Sequence, residues 1–172
     1  MSYPVRAVTI GELCREGGGS VQTGPFGSQL KASTYVPAGI PTVMPADLIA
    51  FRVSEDSIAR IGPEDHARMA RHQLEPGDIV YGRRGDICRH ALVTERKRGW
   101  LCGTGCLRIR FGKASVLPKY VSYYLRQQSV INLILSMAIG TTMPNLNTSI
   151  LESVPLELPS LSIQRRIAEI LG

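Results

Sequence analysis

Three short stretches of this chain hold the side chains that could do chemistry, and that chemistry is polar recognition rather than bond making. Ser28, Gln29 and Lys31 lie in the first, Arg83, Arg84, Arg89 and His90 in the second, and Thr141, Thr142, Asn145 and Asn147 in the third. Arginine reads guanine, and Asn or Gln reads adenine, through paired hydrogen bonds, while Ser, Thr and Lys mostly hold phosphates. Each stretch also has a plainer explanation. Gly27-Ser28 can be a turn, Arg83 and Arg84 can be solvated charges at a hairpin tip, and Asn145 and Asn147 can be a turn residue and a helix cap.

Other chemistries fare worse. Cys88 and His90 are two apart, which on a strand puts them on one face, but no third residue is singled out to orient the pair. No Gly-x-x-x-x-Gly-Lys-Ser/Thr phosphate loop occurs, and Gly24-Pro25-Phe26-Gly27 lacks the strand-loop-helix setting such a loop needs. Asp78 and Asp86 stand apart at turns, where aspartate is favoured without catalysis. The four cysteines (Cys14, Cys88, Cys102, Cys106) form no Cys-x-x-Cys pair, and His66, His72 and His90 do not complete a zinc site. The sequence therefore predicts no catalytic residue, no metal and no cofactor.

Charge separates the chain into three parts. Residues 1–60 are neutral, residues 61–126 carry thirteen basic and six acidic groups, and residues 127–172 carry two and three. The net +6 thus comes from the middle segment and is densest from Arg83 to Arg98. A concentrated basic patch suits a polyanion, because neutralising phosphates releases condensed counterions. A solvated basic face is the alternative. No apolar run reaches the roughly 18 residues of a membrane span. Met1-Ser2-Tyr3-Pro4 does not open a signal peptide, so a cytoplasmic location is expected.

Elements able to position the three stretches follow from pattern. Arg6 to Ile10 reads as an entry strand, followed by a Gly-rich loop from Gly17 to Tyr35. Ile40 to Met44 is a buried strand candidate, and Pro63-Glu64-Asp65 opens a short helix. Glu75-Pro76-Gly77-Asp78 is a turn that launches Ile79-Val80-Tyr81, and Ala91-Leu92-Val93 returns, leaving the basic cluster at the tip of a hairpin. Cys106 to Phe111 alternates apolar and basic residues, which predicts a half-exposed strand with Arg108 and Arg110 facing out. From Pro118, an apolar stripe through Val121, Leu125, Ile131, Ile134 and Ala138 predicts helices with a break near Ser129 and a stop at Gly140. After Pro159 a last helix places Ile163, Ile167, Ile170 and Leu171 on one face.

Five motifs in order carry a resemblance. Thr23-Gly24-Pro25-Phe26-Gly27-Ser28-Gln29-Leu30-Lys31 comes first, then Val43 to Leu48, then Leu74-Glu75-Pro76-Gly77-Asp78-Ile79-Val80. Tyr120-Val121-Ser122-Tyr123-Tyr124-Leu125 follows, and Gly140-Thr141-Thr142-Met143-Pro144-Asn145-Leu146 leads to Val154-Pro155-Leu156-Glu157-Leu158-Pro159-Ser160-Leu161-Ser162-Ile163-Gln164. Together they resemble a target recognition domain from the DNA-specificity (S) subunits of type I restriction–modification systems. Two departures are Ser160 in place of a second Pro and, in the further turn motif Arg84-Gly85-Asp86-Ile87-Cys88-Arg89, Arg89 where a second Gly is common. The resemblance implies a prokaryotic, non-catalytic component that reads one half of a bipartite target in duplex DNA. It also implies methyltransferase (modification) subunits and a restriction/translocase subunit as partners. The recognition domain of a fused restriction–modification methyltransferase, or an RNA or single-strand binder, are the alternatives.

The expected architecture is α/β (α+β): a single domain, residues 1–159, with a twisted mixed or mostly antiparallel sheet, helices on one side and long DNA-facing loops. Residues 160–172 are expected to begin a conserved spacer helix, cut short here, through which copies could associate.

Overall fold

The computed structural model describes residues 3–138 and 144–172. Strand β1 (Arg6–Thr9) runs straight into helix α1 (Ile10–Gly17), where the sequence pattern suggested a strand to Ile10 and a loop from Gly17. The cause is local: Thr9 Oγ1 accepts from the Glu12 amide at 3.2 Å, and the Glu12 carboxylate accepts from the Thr9 amide at 2.7 Å. This reciprocal cap satisfies two of the amides that a helix start leaves unpaired. Next come β2 (Ser20–Thr23), β3 (Tyr35–Val43), β4 (Leu48–Ile49), β5 (Arg52–Val53), β6 (Ala59–Ile61) and α2 (Pro63–Arg68). The chain continues through β7 (Ile79–Gly82), β8 (His90–Leu92), β9 (Leu101–Cys102), β10 (Cys106–Arg110), α3 (Pro118–Tyr124) and α4 (Gln128–Ala138). It closes with α5 (Thr148–Ser153), β11 (Pro155–Leu158) and α6 (Leu161–Leu171).

A four-stranded antiparallel sheet, ordered β2-β10-β7-β8, is the frame. Its two faces are both covered, which explains the near-continuous burial of Ile79, Val80 and Tyr81. On one face Val21, Ile79, Tyr81, Leu107 and Ile109 pack with Leu13 of α1, Val121 of α3, Ile134 of α4 and Leu151 of α5. On the other, Val80, Ala91 and Cys106 meet Val43, Leu48, Val53 and Cys102. Those residues come from a mixed sheet, β6-β3-β9, and from the β4–β5 hairpin. A mixed α/β domain with its longer helices gathered on one face agrees with the architecture read from the sequence.

One expectation fails. Arg108 and Arg110 share a face of β10, but that face is roofed by residues 71–78 rather than open to water. Arg108 is 5% exposed and donates to Arg71 O, Ser20 Oγ and Gln22 Oε1. The Arg110 guanidinium grips the buried Asp78 carboxylate at 2.6 and 2.8 Å. In the last helix Gln164 and Ala168 are the buried residues, while Ile170 and Leu171 are exposed. Gln164 accepts from the Leu117 amide at 2.9 Å and donates to Pro159 O at 2.8 Å, fixing the start of α6 against the body.

Candidate nucleic-acid interface

The register of the main sheet puts its loops at one end. Leu107 faces Thr23, Cys106 faces Gly82 and Tyr81 faces His90, so β2 and β7 stop where β8 and β10 begin. The 24–34 segment, the 83–89 loop and the 103–105 turn therefore emerge together. Hydrogen bonds tie them. Gly24 donates to Cys106 O at 2.9 Å, Thr104 Oγ1 to Pro25 O at 2.9 Å and Arg83 N to Gly105 O at 2.9 Å. Gly24 has to be glycine, because a Cβ there would run into the Gly103 carbonyl.

The third stretch joins the second across the sequence. Leu146 N donates to Arg83 O at 2.9 Å, Arg84 and Asn145 form an antiparallel bridge, and Arg83 Nε donates to Asn145 Oδ1 at 3.3 Å. Each loop is anchored by one apolar side chain beneath it: Leu30, Ile87 and Leu146 are 4%, 1% and 0% exposed. Polar groups above are thereby held on a stiff base, which lowers the ordering cost of recognition.

Within this assembly the expected residues divide. Ser28, Gln29 and Lys31 are exposed, although Gln29 Oε1 accepts from Phe26 N at 3.1 Å, leaving its amide nitrogen for other partners. Arg84 is exposed. Arg89 is also exposed and pairs with Asp86 at 2.9 Å. Arg83 and Asn145 are half-buried and hold each other. Asn147 serves as the cap of α5, its Oδ1 accepting from Ile150 N at 2.8 Å. Thr141 and Thr142 lie outside the described residues.

His90 belongs elsewhere. It is 1% exposed, stacks on Tyr81 at 5.0 Å, and its ring nitrogens lie 3.2 Å from Cys88 O and 3.1 Å from Ser122 O. Surface contact is closed to it, so its expected place among the DNA-facing residues is corrected to a core position. Burial pushes its pKa down, against the smaller opposing pull of those two carbonyls. Burial pushes the Cys88 thiol up to about 11. Those directions are opposite to what a thiolate–imidazolium pair requires. Among the described residues no group of three or more Cys, His, Asp or Glu side chains could hold a metal ion.

Sequence reasoning did not find Thr104, which locks the first loop, or Phe26, which stands 65% exposed at its tip. Thr104 carries no local signal, since its partner is 79 residues away. No helix among the described residues is long and apolar enough to cross a membrane.

The braced sheet end presents guanidinium, amide, hydroxyl and ammonium groups on one surface. The model of the type I restriction modification DNA specificity domain matches residues 68–172, more than half of the chain. The chain belongs to that family, whose role is DNA recognition rather than catalysis.

Solved structures agree on the fold. The HsdS subunit from Thermoanaerobacter tengcongensis superposes with a TM-score of 0.62 at 22% identity, over 99% of this chain and 37% of that one. The type I restriction–modification S subunit from M. genitalium gives 0.63 at 17%, over 99% and 38%. A chain from a structure describing complex assembly and conformational transition of the type I R-M system gives 0.60 at 20%, over 99% and 38%. This chain thus spans under two-fifths of the length of each. Among curated proteins, sequence comparison finds no match.

Proposed function

We propose that the braced loop end of the main sheet reads a short sequence of duplex DNA, one half of a bipartite target. Residues 160–172 begin the spacer helix that sets the distance to the other half. The observation that carries this is the joining of the 83–89 and 144–147 segments through the Arg84–Asn145 bridge, beside the 24–31 loop. Side chains suited to guanine, adenine and phosphate converge there from positions far apart in the chain. Arg84, Arg89, Ser28, Gln29 and Lys31 form the contact surface, with Thr141 and Thr142 retained from the sequence pattern. Arg83 and Asn145 hold the loops together, and Asn147 caps α5 behind them. Methyltransferase and restriction/translocase subunits are the partners, in the cytoplasm, and family membership supports both assignments.

The deciding experiment is a binding selection on randomised duplex DNA with the cognate methyltransferase subunits present. Enrichment of a short base motif that changes or disappears in an Arg84→Ala variant supports the assignment. Equal recovery of all sequences by the native protein would overturn it.

A further inference from the structure

The β4–β5 hairpin has an unusual backbone. Ala50 and Phe51 both sit at positive φ, 49° and 61°, where residues other than Gly, Asn and Asp are uncommon. Pairing of Leu48 with Val53 and of Ile49 with Arg52 leaves these two as a tight turn, a geometry that favours Asn-Gly. Packing holds them instead. The Phe51 ring lies 5.0 Å from the His90 ring and 4.5 Å from the Arg126 guanidinium, which the Tyr123 ring approaches at 4.4 Å. Ile49 and Ala50 are left exposed at the tip.

Beside the hairpin opens a cleft of about 600 Å³, lined by Arg52, Arg96, Lys97, Lys119, Tyr123 and Arg126 among others. Its side-chain carboxylate is paired, Glu95 with Arg98 at 3.0 Å, as is the nearby Glu55 with Lys97 at 3.3 Å, and Gly172, the last residue of the sequence, also lines the cleft. Among the described residues no carboxylate lies within ion-pair distance of Arg52, Arg96, Lys119 or Arg126. Arg126 Nε is buried with no acceptor. Burial disfavours the Arg126 charge and the Arg52 charge adds to the strain, with Tyr123 opposing. Neighbouring cations in a partly dry, aromatic-walled cleft are relieved by a bound anion.

The cleft is continuous with the recognition loops. Ala50 and Phe51 line both it and the adjoining depression beside Asp86, Cys88 and Arg89. Strand β8 (His90–Leu92) links the Arg89 end of this surface to its Thr94–Lys97 end.

We propose that this cleft is a second grip on the DNA backbone, in which Arg52 and Arg126 hold a phosphodiester beside the bases faced by the loops. Lys119 and Arg96 continue the track, and the Ile49–Ala50 tip enters the groove between. The inference rests on the recognition function above, and one assay separates the two.

Binding of the chain to a duplex of about 20 base pairs is measured across salt concentrations, each phosphate contact contributing about 0.9 to the slope of log K against log salt. An R52A/R96A/K119A variant, which leaves the stacked Arg126 in place, is expected to melt with the native protein and to lose about 2–3 from that slope. Should the triple variant not fold, the exposed R52A alone is expected to lose about 0.9. An unchanged slope in these variants, with weaker or less selective binding by R84A, overturns the cleft and leaves the loops standing. Native-like slopes in the cleft variants together with native affinity and base preference in R84A overturn both. Loss of oligo-glutamate binding with the DNA slope intact makes the cleft a protein-docking site, which also overturns the proposal.

Discussion

The arginines of β10 and those of the 83–89 loop carry the same charge within one basic segment, and the fold treats them in opposite ways. Arg108 and Arg110 are enclosed, the first by a carbonyl, a hydroxyl and an amide oxygen, the second by Asp78 and Gln73 O. Arg84 and Arg89 stand in water above the end of the same sheet. The difference lies in what returns over each. Residues 71–78 cross the face of β10, whereas the 83–89 loop is supported from below by Ile87 and left open above. A basic cluster in sequence therefore mixes charges that build the domain with charges available to a partner.

The largest effect is expected from breaking the enclosed set. Asp78→Ala leaves the Arg110 guanidinium without its main counter-charge and removes the acceptor for the Glu75 amide. Loss of one partner from such a pair is expected to cost about 3 kcal/mol of folding stability. Chemical denaturation reads this directly. A midpoint equal to the native one would show that Glu75, 3.3 Å from Arg110, is sufficient on its own.

Opening the other side of the comparison, Arg84→Ala is expected to leave stability within about 0.5 kcal/mol and to weaken DNA binding by about 1–3 kcal/mol if Arg84 reads a base. Relaxed preference at one base position distinguishes base reading from phosphate contact, which lowers affinity evenly across sequences. A variant that is destabilised yet binds normally would reverse the roles assigned to the two arginine sets.

Much of the frame was legible because its signals are local. Glu75-Pro76-Gly77-Asp78 does launch β7, Pro118 does open α3, and the strand pair does leave Arg83 to Arg89 at its tip. Helix α1 was missed although Thr9 and Glu12 have the spacing of a reciprocal cap; the apolar run Val8-Thr9-Ile10 reads equally well as strand. What could not be read is what distant residues decide. Burial of Arg108 depends on Arg71 and Gln22, and burial of His90 depends on Ser122. The parallel pairing of β3 with β9 joins Thr42 to Leu101. The site follows the same rule: its residue types were visible one by one, while the Arg84–Asn145 bridge that assembles them has no signature in either stretch.

Asn147 offers a smaller and sharper test, because it was grouped with the DNA-facing residues and its side chain is spent as a cap. Asn147→Ala is expected to cost about 1 kcal/mol of stability through loss of that cap. DNA affinity, measured well below the melting temperature, is expected to stay at the native value. A clear loss of affinity with unchanged stability would place Asn147 on the interface.

The smallest effect concerns the point in sequence where the two classes touch, since Arg89 is exposed and His90 is buried. Burial lowers the pKa of His90 and of His72 from 6.5, with Arg71 and Arg108 pushing His72 further down. Well above pH 6.5 neither the folded nor the unfolded chain protonates these rings, so their burial has no proton-linked cost. As pH falls below that value the unfolded chain takes up protons that the folded chain refuses, and stability declines until the folded pKa values are reached. Urea midpoints are therefore expected to fall between pH 7.5 and 5.5. His90→Phe is expected to be less stable at pH 7.5, losing the one hydrogen bond a neutral ring can donate to these carbonyls, but to lose less on acidification. With His90 and His72 inside the fold, the salt slope of DNA binding is expected to hold while stability drops. A slope that grew steeply as pH fell would mean that a histidine gains charge at the interface, and the assignment of His90 and His72 to the interior would fail.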